Sequence, residues 1–159
     1  MPHFPINHPA RPIYRVLSGL IGLYILAFGV WGTLSTWGQP LFARNGNWAL
    51  GLRTNLAFAL VSVIFGAVLI VGASRRGNLG HYMNLTAGAV FLITSILMMS
   101  FLQTSANFLN FSMSTVVVSM LFGLILLGTG LYDKVGPPEH AEAERERRYH
   151  PVAEIHRRR

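Results

Sequence analysis

The chain has 159 residues, 52% of them hydrophobic and 12% charged, with no cysteine and a formal net charge of +7. A charged fraction about half that of a soluble domain excludes an ordinary water-soluble fold, and the missing thiols exclude disulfide exchange and thiolate metal sites. Every acidic residue lies at or after Asp133 and the only lysine is Lys134, so the positive balance is no nucleic-acid footprint, which needs a basic face with interleaved aromatics on a soluble fold.

The N-terminal segment is proline-rich and carries His3, His8, Arg11 and Arg15. Two histidines on such a terminus could ligate a metal, but solvated side chains are the simpler assignment. A first apolar run covers residues 16–36. It exceeds the 7–15 residues of a signal-peptide core and no clean small-x-small cleavage site follows, so it is read as a retained span. Ser18, Gly22, Gly29 and Thr33 form a stripe of small residues along it, which lets helix backbones approach closely.

Three further runs cover residues 55–74, 82–103 and 112–132, and all four lack Asp, Glu, Lys, Arg and His in their interiors. Each is near the ~20 residues that ~30 Å of hydrocarbon requires. Their hydrophobicity is continuous rather than alternating, which predicts helices and not barrel strands. Ser62 and Gly66 in the second run, and Thr115, Ser119 and Gly123 in the fourth, continue the small-residue pattern. SVIFGAVL (62–69) echoes SMLFGLIL (119–126), either by duplication of a two-helix hairpin or by chance. The expected fold is all-α, an integral membrane bundle of four transmembrane helices over residues 1–132. A charged tail over 133–159 is expected to be disordered, its Gly136-Pro137-Pro138 ending the last helix.

Orientation follows from basic residues beside the spans. With four spans, the N-terminal segment, the second connection and the tail share one side and hold eleven basic residues; the other side holds Arg44 and Arg53 alone. Both termini are therefore expected in the cytoplasm. Tyr14, Tyr82 and Tyr132 fall at the cytoplasmic span ends and Trp31, Trp37 and Trp48 near the outer ones, as interfacial anchors do.

Chemistry is sparse. Coupled transport usually needs an ionisable residue within the membrane, haem needs inward-facing axial ligands, and hydrolysis needs a nucleophile with a base. The apolar interiors supply none of these. No enzymatic activity and no cofactor are expected. The expected partners are the lipid bilayer and other membrane-protein subunits or further copies of the chain, with no nucleic acid. A structural or accessory membrane subunit fits best, and a small homo-oligomeric channel or carrier is the alternative.

QTSANFLNFS (103–112) holds three amides and three hydroxyls but no charge. Asn107, Asn110 and Ser112 suit a tight outer turn that satisfies orphan groups at two helix ends. The second assignment is an outer polar cluster of Arg53, Asn55, Gln103, Asn107 and Asn110, able to hold a lipid phosphate or a partner carboxylate. Within it, Arg53 is expected to bond the side chains or backbone carbonyls of Asn107 or Asn110.

Four segments, INHPARPIYRVLSGLIGLY, WALGLRTNLAF, LQTSANFLNFS and GLYDKVGPPE, occur in this order over residues 6–139. Together they resemble an uncharacterised family of small four-span integral membrane proteins of actinobacteria. The resemblance implies a plasma-membrane protein. It implies no substrate, cofactor or catalytic residue.

Overall fold

The computed structural model describes residues 7–75, 77–137, 139 and 142. Four helices follow one another: α1 (Arg11–Thr36), α2 (Leu56–Ser74), α3 (Leu79–Phe101) and α4 (Met113–Tyr132). Each is long and apolar enough to cross a membrane, and the chain is an all-α membrane protein. The strands among the described residues are two residues each, β1 (Trp48–Ala49) and β2 (Leu52–Arg53), paired antiparallel. They are joined by Leu50 and Gly51 with φ of 46° and 84°, the two left-handed residues of a type I′ turn. Such short strands leave no readable alternation in the sequence.

Local signals set the helix starts. Pro12 stands in the first turn of α1, where its missing N–H is no loss. Asn55 caps α2 by accepting from Phe58 N, and Ser112 caps α4 by accepting from Thr115 N. Two starts differ from expectation. Helix α1 begins at Arg11 rather than Val16, and α3 at Leu79 rather than Tyr82, because the polar residues there find partners within the bundle.

The bundle is two tight antiparallel pairs. Helix α1 packs mainly on α2 and α3 on α4, while the α2–α3 and α1–α4 seams are thinner. Glycines set both close pairings. A Cβ on Gly66 would lie 2.5 Å from Leu26 N and 2.8 Å from Gly22 O, and one on Gly123 would lie 2.9 Å from Leu92 N and 3.0 Å from Gly88 O. In lipid the hydrophobic effect does not drive helices together, so this backbone-level packing has to. Ser18, Gly22 and Gly29 are buried as expected, but Thr33 is only partly so; Gly32 closes the stripe instead, against Ala59.

The two pairs repeat one another. Gly22 and Leu26 stand to Gly66 as Gly88 and Leu92 stand to Gly123, and the two capping residues, Asn55 and Ser112, keep the same register. The echo between 62–69 and 119–126 is thus part of a hairpin repeat carried by all four helices. At the centre, Leu69 of one pair and Leu126 of the other are fully buried with Ile21, Ile25 and Ala87.

Candidate functional site

Three features carry the polar and concave surface of the bundle: the amide cluster beside the 103–112 turn, a polar latch at the opposite end, and a cavity between the hairpins. In the amide cluster, Asn55 holds α2 through its Oδ1 and donates from Nδ2 to Phe108 O at 2.7 Å. Asn110 has φ of 57°, a left-handed conformation that asparagine tolerates well. From there it donates to Asn45 O at 2.8 Å and Thr54 O at 2.9 Å. Asn107 accepts from Phe111 N at 2.7 Å and donates to Leu102 O and Phe111 O. All three are buried, and their amide groups are spent on backbone.

The remaining two members lie apart from this use. Gln103 is exposed. Arg53 does not bond Asn107 or Asn110, contrary to expectation. Its Nη2 reaches Asn45 O at 3.4 Å, the same carbonyl that Asn110 holds, and its Nε is buried without a partner. The β1–β2 hairpin fixes Arg53 beside the first connection, so its fork meets that loop rather than the turn. The cluster is a clasp: it binds the two connections together and to the start of α2 and the end of α3.

At the end that carries the chain termini, sequence reasoning had used the arginines for orientation only. Arg11 Nε meets Asp133 Oδ1 at 2.6 Å and Asp133 O at 3.2 Å, while its Nη2 donates to Gly77 O at 2.8 Å. Asp133 is 1% exposed and the Arg11 side chain 22%, so a buried carboxylate meets a partly exposed arginine. Arg15 Nε donates to Ala73 O at 2.9 Å and its Nη2 to Arg75 O. His81, placed outside the apolar interiors by the sequence, is a buried residue of α3. Its Nδ1 lies 2.6 Å from Gly130 O; a carbonyl only accepts, so Nδ1 carries the proton.

The boundary at Asp133 also moves. Residues 134–136 return onto the bundle: Asn7 N donates to Lys134 O at 3.0 Å, Asn7 Nδ2 to Gly136 O at 3.1 Å, and Val135 N to Asn78 Oδ1 at 2.6 Å. His8, Tyr14 and Tyr132 pack their rings together, with centroids 5.5 to 5.6 Å apart. The rest of the 133–159 tail lies outside the described residues except for Pro137, Glu139 and Glu142. The signal that could have revealed this latch is the solitary acid at the end of α4, a carboxylate that burial would force to find an arginine.

Asn84 was missed altogether. It is 1% exposed within α3, and neither amide atom has a hydrogen-bond partner. A search for charges alone passes over such a residue. Among the described residues, no three His, Cys, Asp or Glu side chains converge to hold a metal.

Between the hairpins, toward the end that carries the two long connections, lies a cavity of about 160 Å³. Phe28, Phe58, Phe65, Phe91, Phe111 and Phe122 are among the residues that line it. Its few polar atoms are hydroxyls, and that of Ser62 is bonded to Phe58 O at 2.8 Å.

No curated protein and no solved structure matches the chain. One family profile matches residues 15–132, the whole of the four-helix bundle apart from the first turn of α1. On that match the chain belongs to the family described as Domain of unknown function (DUF4383).

Proposed function

We propose that this protein is a structural or accessory subunit of the plasma membrane that associates with other membrane proteins and performs no chemistry of its own. The observation that carries the reading is the surface of the first connection. Trp37, Leu41, Phe42, Trp48 and Leu50 are all exposed there, on a loop held rigid from below by Asn55 and Asn110. An apolar patch on a fixed backbone can meet a partner at little ordering cost. The amides of Asn55, Asn107 and Asn110 beneath are already engaged with backbone, and the apolar patch above them is the recognition element. The excess of basic residues beside the termini supports an orientation with both termini in the cytoplasm and this surface outside.

A second reading, a small homo-oligomeric channel or carrier, draws on the thin seams between the hairpins. The buried Leu69 and Leu126 at the centre favour a conduction path between copies rather than through one chain.

Copurification at endogenous expression tests the proposal. Defined membrane-protein partners, lost in a Trp37→Ala/Phe42→Ala/Trp48→Ala variant that retains its fold, would support the accessory role. A homo-oligomer without other subunits would overturn it in favour of the second reading.

A further inference from the structure

The cavity between the hairpins is built from matching positions of both. The register that sets Gly66 on Gly123 also sets Val61 on Val118, Ser62 on Ser119 and Phe65 on Phe122, and all six line the space. Leu52 and Leu109 hold corresponding places at its connection end. The cavity thus lies between corresponding faces of the two hairpins. Membrane proteins built from repeats place ligands at such interfaces.

The correspondence breaks on one side. Val90 of α3 is matched in α1 by Tyr24, whose Oη donates to Leu50 O at 3.1 Å and whose ring meets Phe122 edge-on at 5.4 Å. The α1–α4 side is therefore filled by a tyrosine and tied by the β1–β2 hairpin, which has no counterpart in the shorter 102–112 connection. On the α2–α3 side, Val61 and Val90 stand 43% and 40% exposed. That mouth opens between two helices apolar enough to span a membrane.

No charged side chain lines the space. The lining is almost wholly apolar, which disfavours a charged or strongly hydrated ligand. What stands at the mouth in a bilayer is the hydrocarbon of its lipids. Dry apolar cavities of about 150 Å³ accept small apolar groups such as benzene, so the space fits a segment of one chain and not a whole lipid.

We propose that this cavity holds part of one acyl chain of a bilayer lipid, which enters between α2 and α3 past Val61 and Val90, while Tyr24 and the β1–β2 hairpin close the opposite side. The site gives the loosely joined hairpins a lipid between them, and its occupancy would depend on the lipid present.

A tryptophan reporter tests this. Phe28 lines the cavity and is 3% exposed. Phe28→Trp would be made in full-length protein carrying Trp31→Phe, Trp37→Phe and Trp48→Phe, then reconstituted in phosphatidylcholine vesicles with or without bromine midway along one acyl chain. The expected result is loss of roughly half the emission in brominated vesicles, no quenching by aqueous iodide, and recovery of emission when Val61→Phe and Val90→Phe narrow the mouth. Tyr24→Val, which gives α1 the residue α3 has, should deepen the quenching by opening a second mouth, and it keeps the test available if the narrowed variant fails to fold. Equal emission in both vesicles, quenching by iodide, or quenching indifferent to both sets of variants would overturn the proposal.

Discussion

Arg15 and His81 hold equivalent places in the two hairpins: Arg15 Nε donates to Ala73 O at 2.9 Å, and His81 Nδ1 donates to Gly130 O at 2.6 Å. Each side chain reaches from one helix to a carbonyl in the last turn of its partner, where intrahelical donors have run out. Two different chemistries thus perform one task, closing the end of a helix pair.

This equivalence makes His81 replaceable by another donor but not by a hydrocarbon. His81→Ala should lower unfolding stability by about 1–2 kcal/mol, the penalty for an abandoned buried acceptor. His81→Gln, which can still donate, should recover part of the loss. Thermal unfolding in detergent, followed by circular dichroism, checks both; equal losses would deny the bond its role.

The pair of Arg11 and Asp133 predicts an asymmetry. Arg11→Met leaves a carboxylate that is 1% exposed without its partner. Breaking a fully buried pair costs about 3–5 kcal/mol, and this pair, whose arginine side chain is 22% exposed, should lose less than that. Asp133→Asn removes the charge together with the need for the arginine, so it should cost clearly less. The double variant Arg11→Met/Asp133→Asn should be more stable than Arg11→Met alone. Denaturant titration of the purified variants would show the order.

Glycine positions sort sharply by what surrounds them. A Cβ on Gly66 would meet the backbone of α1 at 2.5 Å, whereas one on Gly128 would meet nothing within 4 Å. Gly66→Ala should therefore force α1 and α2 apart at a loss of about 1–3 kcal/mol. Gly128→Ala should be neutral or slightly stabilising, since alanine favours the helix. Similar melting temperatures for the two would contradict the glycine-set packing.

The spans were legible because hydropathy over a long run is insensitive to detail. Helix α2 was expected over 55–74 and runs over Leu56–Ser74; α4 was expected over 112–132 and runs over Met113–Tyr132. The errors fall where a polar residue satisfies itself inside the bundle. Arg11, Arg15 and His81 looked like flanks because composition cannot show that their donors reach carbonyls of neighbouring helices. The repeat was half visible for a related reason. Helices α2 and α4 share Ser, Phe, Gly and Leu in register, but in α1 and α3 only backbone proximity at Gly22 and Gly88 reveals the match. Of the residues expected to close helix ends, Asn107 bonds Leu102 O at the end of α3 and Ser112 caps α4. Asn110 bonds Asn45 O and Thr54 O instead, and Asn55, expected in the polar cluster, caps α2. The partner of Arg53 was out of reach, since it depends on a two-residue hairpin that leaves no pattern.

The contact of Arg53 with Asn45 O gives a further test. Arg53 and Asn110 share that acceptor, while Asn107 bonds elsewhere. Stability losses from Arg53→Lys and Asn107→Ala should add within about 0.5 kcal/mol, as for independent sites. Arg53→Lys and Asn110→Ala should couple. A cycle in which Asn107 couples to Arg53 and Asn110 does not would reverse the assignment.

The most direct test of the four-crossing architecture uses the absence of native cysteine. Single cysteines at Gly46 and Ser105, in the two connections clasped together, should react with a membrane-impermeant maleimide in intact cells. Under the proposed orientation, which rests on eleven basic residues against two, cysteines at Gly77 and Ala141 should react only after lysis. Labelling of Gly77→Cys in sealed cells, or a split between Gly46→Cys and Ser105→Cys, would contradict the account.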